Sequence, residues 1–405
     1  MSQVWKIYLL AVISFLVGTS EFIIAGILDR VAADLHVSVS AAGQLITVFS
    51  IAYAFGTPFL IAFTSRMERR KLLLYSLAIF AVANGIAAVL SGFEFLIISR
   101  IILALSAGVF VVTSLTVVSA LAPPEKQGSA IATVVMGFSA ALIVGVPLGR
   151  VIASVYSWQM IFGGIGVLGL LSMLLIAFFI PKMNGDEPIP LRNQLKLFKE
   201  PRITAALLVT FFWIGGYSIA YTYISPFLLE VTGMSEQGVS IGLFAFGIAS
   251  LFGSKLGGFS TDRWGAPRTL IGGMSLQIVA LLLLAAAGQS AALMFPLLML
   301  WAFSAWSSGP TQQYNLISMA PGATGIMLSL NSSVLQLGMA AGAALGGIVV
   351  EQGSLHAVSW IGAVGVAIAV SITTIAYRRS VRSRSNSSED RSATAEERQV
   401  LKSGA

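Results

Sequence analysis

Twelve stretches of about 20 or more mostly apolar residues, almost free of charge, run through this 405-residue chain. A helix needs about 20 such residues to cross the hydrocarbon of a bilayer, and backbone groups can be satisfied there only within helices or closed barrels. The runs fall at 6–28, 41–63, 72–91, 93–120, 128–152 and 158–180. A second set falls at 203–229, 238–260, 268–288, 291–318, 325–350 and 355–377. Period-two alternation, the mark of an outer-membrane barrel, is absent. Only 10% of residues are charged, against about 25% in soluble domains. The expected fold class is therefore an all-α polytopic membrane protein with twelve spans; a soluble enzyme or a nucleic-acid-binding protein is excluded. With no cysteine there is no disulfide framework and no thiolate ligand or nucleophile. His36 and His356 stand far apart, in no metal-ligand spacing.

Lysine and arginine set the expected orientation. With the N-terminus in the cytoplasm, twenty of the 24 basic residues fall on the inner side. Arg100, Arg150 and Lys255 lie within spans, and Arg30 alone lies outside. The net charge of +7 is then the positive-inside bias and needs no nucleic acid. Both termini are expected to be cytoplasmic, in the cell (inner or plasma) membrane. The first run contains Glu21 and lacks a small-residue cleavage site, so it reads as a retained helix and not a signal peptide. Residues 181–202, with Pro181, Pro188 and Pro190, form the longest internal linker. It divides the chain into a six-helix bundle at 1–180 and another at 203–377. The Ser-rich, mixed-charge segment 378–405 reads as a disordered cytoplasmic tail.

The halves echo each other at a constant offset of 197. Ser65-Arg66 maps onto Asp262-Arg263, Pro124 onto Pro321, Gly128 onto Gly325, and Gly145-Val-Pro147-Leu-Gly149 onto Gly342-Ala-Ala-Leu-Gly346. Between the eighth and ninth runs stands Gly258-Phe-Ser-Thr-Asp262-Arg263-Trp-Gly265-Ala-Pro-Arg268. This segment resembles the loop signature of the major facilitator superfamily. Its first-half counterpart keeps the basic residues Arg66, Arg69, Arg70 and Lys71, but has Ser65 in place of the Asp and Glu68 in place of the Gly. Gly145, Pro147 and Gly149 resemble the antiporter motif of that superfamily, and Arg100 its buried arginine. The stretches Gly18–Leu28 and Trp158–Phe162 are similar to the drug and sugar (arabinose-efflux-like) exporters. Ala42–Ser50, Pro310–Tyr314 and Asn331–Gln336 are more narrowly similar to bacterial purine base and nucleoside efflux pumps. The resemblance implies two parallel six-helix repeats with a substrate site between them near the midplane.

No G-x-x-x-x-G-K-[ST] phosphate cradle is present, so the driving force is expected to be an ion gradient. The one G-x-G-x-x-G, Gly164–Gly169, lies inside an apolar run and reads as close helix packing. Charges inside a membrane are costly and usually functional. Of 17 acidic residues, Glu21 is the one carboxylate well inside a run. Glu21 and Arg100 each lie about 10 Å below the outer end of their spans, and the resemblance places both spans at a central cavity. The pair is read as the proton-coupling site; the alternative is a fixed ion pair holding two spans together. Arg150 and Lys255 are expected to snorkel to the interfaces, and Asp34 to be solvated.

Trp213, Tyr217 and Tyr221 recur every four residues and share one helical stripe. The tenth run carries Trp306, Gln312 and Gln313, and the eleventh Asn331 and Gln336. These eight are the candidate substrate ligands, the alternative being hydrogen bonding between helices. The expected conformational motifs are Arg66, Arg70, Gly145, Pro147, Gly149, Gly258, Asp262, Arg263 and Gly265. The function expected is proton-coupled efflux of a small polar molecule, a purine base or nucleoside in the first instance and a drug or sugar in the second. A membrane enzyme or receptor would need a nucleophile or metal constellation, and none is visible. The expected partners are substrate, protons and lipid, with no cofactor and no metal, acting as a monomer.

Overall fold

The computed structural model describes residues 3–123, 127–185, 199–287, 290–320, 324–352 and 355–378. Pro124, Pro321, the linker prolines Pro188 and Pro190, and the tail beyond Arg378 lie outside them. Among the described residues there is no strand. The twelve long helices are α1 (Gln3–Gly26), α2 (Val39–Thr64), α3 (Arg69–Val89), α4 (Phe93–Leu121), α5 (127–155), α6 (Gln159–Phe179), α7 (Pro201–Tyr221), α8 (Glu236–Trp264), α9 (Ala266–Ala286), α10 (Ala291–Met319), α11 (Thr324–Glu351) and α12 (Ala357–Arg378). All but α10 are, among the described residues, long and apolar enough to cross a membrane. α10, itself 29 residues long, carries two internal prolines and a run of hydroxyls and amides. The described chain begins and ends at one face of the bundle, here the near face; the opposite end is the far face.

Local chemistry sets the helix boundaries. Ser38 caps α2 by accepting from the Ala41 amide, and Ser235 caps α8 by accepting from Gly238. Each satisfies one of the amides left open at a helix start. Those two serines are 197 residues apart, and so are the helix bounds: α3 shifted by 197 falls on 266–286, the span of α9. A single residue, Gly265, separates α8 from α9 at φ +82°, a conformation that side chains with a Cβ rarely adopt. Glu68, its first-half equivalent, has φ −56°. The two loops therefore turn differently, as the departure from the signature anticipates. In α5 a π-helical turn at Ala141–Gly145 precedes Pro147. The wider turn absorbs the break that a proline, with no N–H to donate, introduces.

Packing repeats with the sequence. α1 packs on α5, α2 on α4 and α3 on α4; α7 packs on α11, α8 on α10 and α9 on α10. The broadest contacts between the halves are α2 with α11 and α5 with α8, and these exchange under the same shift. The α1–α5 crossing is close because a Cβ on Gly137 would collide with the backbone of Ala11. Gly145 and Gly149 continue that seam against Thr19 and Ile23, and Gly342 and Gly346 form its equivalent against α7. Small residues of this kind let membrane helices gain dispersion contact where no hydrophobic effect separates helix from lipid.

Candidate functional site

Glu21, on the α5-facing helix α1, is buried, as is Arg100 on α4. The ion pair of the alternative reading does not form between their side chains. Arg100 donates instead to the main-chain carbonyls of Ser20 (2.8 Å) and Glu21 (3.0 Å), and its guanidinium lies 4.4 Å from the centre of the Phe49 ring. Backbone carbonyls and an aromatic face satisfy this cation without neutralising the carboxylate beside it. The Glu21 carboxylate is held from the other half of the chain: Gln336 Nε2 on α11 donates to its Oε1 at 3.0 Å. Glu21 Oε2, Gln336 Oε1 and Arg100 Nε are buried without a hydrogen-bond partner among the described residues. Ser20 extends the network by donating to Asn84 on α3 at 2.8 Å. The sequence reading had not singled out Asn84, an uncharged residue in an apolar run.

The candidate ligands of the second half divide into two groups. Gln312 donates to the Ala206 carbonyl (2.6 Å) and to Thr210 (3.0 Å), and Thr210 donates to Asn331 Oδ1 (2.9 Å). This buried chain ties α10, α7 and α11 together, so the amides of Gln312 and Asn331 serve helix packing. Gln313 is exposed and takes no part in it. The aromatic stripe of α7 forms the other group. Tyr217 and Tyr221 stack at 5.0 Å, and Trp301 packs against both, with Phe246 beyond. Trp213 donates to Gln277 on α9 at 2.9 Å. Gln277 Nε2 and the indole nitrogen of Trp301 are buried with no partner among the described residues, while the Trp306 indole faces the Tyr217 hydroxyl. Trp301 and Gln277 escaped the sequence reading because neither shares the four-residue spacing of the stripe.

Arg150 corrects a second expectation. It does not snorkel: its side chain is fully buried at the far face, where it donates to both carboxylate oxygens of Asp29 (2.7 and 3.1 Å), to Glu236 (2.7 Å) and to the Gly26 carbonyl (2.6 Å). Four acceptors make burial tolerable, whereas a route to the interface would have left Asp29 unmatched. Arg30 adds a 3.0 Å ion pair to Glu236. Ser225, also at the far face, donates to the carbonyls of Ala25 and Gly26. Asp34 is exposed, as expected, and accepts from Trp158 Nε1 and Gln159. Lys255 is exposed. The buried charged side chains among the described residues, Glu21, Arg69, Arg100 and Arg150, all belong to the first half.

The loop signatures lie at the near face. Asp262 and Arg263 are exposed and form no ion pair among the described residues, and Gly258 has open space around it. Arg66 is exposed, while Arg70 caps the end of α6 by donating to the carbonyls of Ala177 and Ile180.

The family model of the Major Facilitator Superfamily matches residues 10–327 and again 208–404. The chain belongs to this superfamily. Among its relatives, an uncharacterized MFS-type transporter of Bacillus subtilis (strain 168), YbcL, is 54% identical over 91% of this chain and 95% of its own. A second uncharacterized MFS-type transporter of that organism, YtbD, is 31% identical over 92% of this chain and 95% of its own. The fold is also that of a D-xylose–proton symporter, at a TM-score of 0.77 and 17% identity, covering 92% of this chain and 97% of that one. As a major facilitator transporter the protein is a multi-pass membrane protein that moves a small molecule, and it is not an enzyme.

Proposed function

We propose that this transporter is a proton-coupled antiporter of the cell membrane that exports a small polar molecule, with both termini in the cytoplasm. The observation that carries the reading is Glu21, a carboxylate inside α1 whose one hydrogen bond among the described residues comes from the opposite half of the chain. A proton arriving there changes the bonding between halves as well as the charge. One proton crossing 100 mV supplies about 2.3 kcal/mol, enough for roughly a 50-fold substrate gradient. The bundles at 1–180 and 203–377 would rock about the α2–α11 and α5–α8 seams. The cross-half bonds at Arg150–Glu236, Arg30–Glu236 and Ser225 support a far face that is closed in this conformation.

For the substrate we favour a flat heterocycle of the purine base or nucleoside class. The Tyr217–Tyr221–Trp301 wall supports it, with Gln277 Nε2 left to bind a ring nitrogen or carbonyl. A second reading, export of lipophilic aromatic drugs, is favoured by one observation: the amides of Gln312 and Asn331 are committed between helices. The test is uptake of labelled purines and of a lipophilic cation into inverted vesicles, with and without a pH gradient. The expected result is gradient-driven purine uptake that Glu21→Gln abolishes. Undiminished driven uptake by that variant would place the coupling group elsewhere, and uptake of the cation alone would move the assignment to drug export.

A further inference from the structure

We infer that Gln336 is a positioning residue that reads the protonation state of Glu21, by forming a cyclic acid–amide pair when the carboxyl is protonated. This rests on the proton-coupling reading of Glu21. In the structure one bond of such a pair is already made, from Gln336 Nε2 to Glu21 Oε1 at 3.0 Å. The two atoms left over on the bonded groups, Glu21 Oε2 and Gln336 Oε1, are both buried and both without a partner among the described residues. With Glu21 ionised these are two acceptors, and neither has a proton to offer the other. A proton added to Oε2 makes that atom a donor, and the amide oxygen is the acceptor that completes the ring. The pair then holds two hydrogen bonds in place of one, with no new side chain recruited.

The surroundings leave this switch to the carboxyl. Arg100 from α4 faces Glu21, but its fork is spent on the carbonyls of Ser20 and Glu21. Tyr53 from α2 is the other titratable group within electrostatic reach. On α5, Arg150 lies at the far end of the crossing and is matched there by Asp29 and Glu236. α11 contributes Gln336 and no charge to the contact. The other cross-half bonds described above lie on the far-face side of this one, so tightening it holds the far face shut. Protonation from the far side would then favour closure, and release of the proton to the near side would loosen the clasp and let the far face open with substrate bound.

The natural chain has no cysteine, so spin labels at Ser157→Cys and Gln352→Cys, both exposed beyond far-face helix ends, report far-face closure by distance. In the full-length protein in lipid nanodiscs without substrate, acidification should raise the closed-to-open ratio by about tenfold, the value of one good buried hydrogen bond. Gln336→Leu should flatten this response. Glu21→Gln, whose amide makes the same cyclic pair with Gln336 at every pH, should stay closed throughout. A wild-type pH response retained in Gln336→Leu, or an open, pH-independent Glu21→Gln, would overturn the inference. Driven uptake in vesicles separates the two readings. Driven uptake with a pH-independent far face removes the clasp and keeps antiport. A pH-dependent clasp without driven uptake keeps the clasp as a pH-controlled gate and removes antiport.

Discussion

Replacing Arg150 by methionine removes a guanidinium of similar length that is 0% exposed and binds four acceptors. The two acids it leaves behind differ in their access to water. The Asp29 side chain is 15% exposed, so it loses its bidentate partner in a poorly hydrated place; breaking a buried pair costs about 3–5 kcal/mol, and this exposure argues for about 3. Glu236 is 43% exposed and keeps Arg30, so its share is about 0–1 kcal/mol. Asp29 and Arg150 belong to the same half, whereas Glu236 belongs to the other. Arg150→Met should therefore lower the thermal melting point in detergent substantially. Glu236→Gln should leave melting nearly unchanged while favouring far-face opening by up to about fivefold. A single cysteine at the buried Ser225, which packs on Ala25 and Gly26 between the halves, reports that opening by its rate of thiol labelling. High salt should mimic Glu236→Gln, because exposed pairs are screened, and should not mimic Arg150→Met. Equal melting losses in the two variants, or none in Arg150→Met, would refute this division of labour.

Three further outcomes follow from the packing and the loops. Gly137→Ala should cost about 1–3 kcal/mol in thermal melting because its Cβ meets the Ala11 backbone, whereas Gly164→Ala, with nothing within 4 Å, should fall within about 0.5 kcal/mol of wild type. Gln312→Ala should lower thermal stability by about 1–3 kcal/mol through its lost bonds to Ala206 and Thr210, while leaving the substrate KM close to wild type; a KM effect without a melting effect would return Gln312 to the binding site. Asp262→Asn should express and fold normally yet transport poorly, since an exposed carboxylate at the end of α8 has no part in this conformation's packing; normal transport would remove any latch role for it.

Helix edges were legible because a bilayer permits one solution for a long apolar run. The expected 72–91 shifted to Arg69–Val89, and 238–260 lengthened to Glu236–Trp264, with the extra residues supplied by the Ser235 cap and a charged end that hydropathy does not weigh. The repeat was legible for a similar reason, since its glycines mark close crossings that each half needs. Partnership among buried polar groups was not. Glu21 and Arg100 were correctly brought near each other, but nothing in their spacing shows that the guanidinium prefers backbone carbonyls, or that Gln336, 315 residues away, takes the carboxylate. Arg150 was misread because a cation near a span end has two outlets, the interface or a buried acid. Only the fold brings Asp29 and Glu236 to it.

The placement of buried charge has an electrical consequence. Glu21, Arg69, Arg100 and Arg150 all sit in one half, while the other buries hydroxyls, amides and indoles. A membrane voltage exerts force on net charge, worth about 2.3 kcal/mol per charge per 100 mV over the full thickness. With Glu21 ionised its charge and that of Arg100 cancel; a proton on Glu21 leaves Arg100 as net charge in the first half for the field to pull on, and among the described residues the second half buries no charged side chain. The duplicated scaffold is mechanically paired but electrically one-sided: one half acts as the lever that the field grips, and the other as the fulcrum against which it turns.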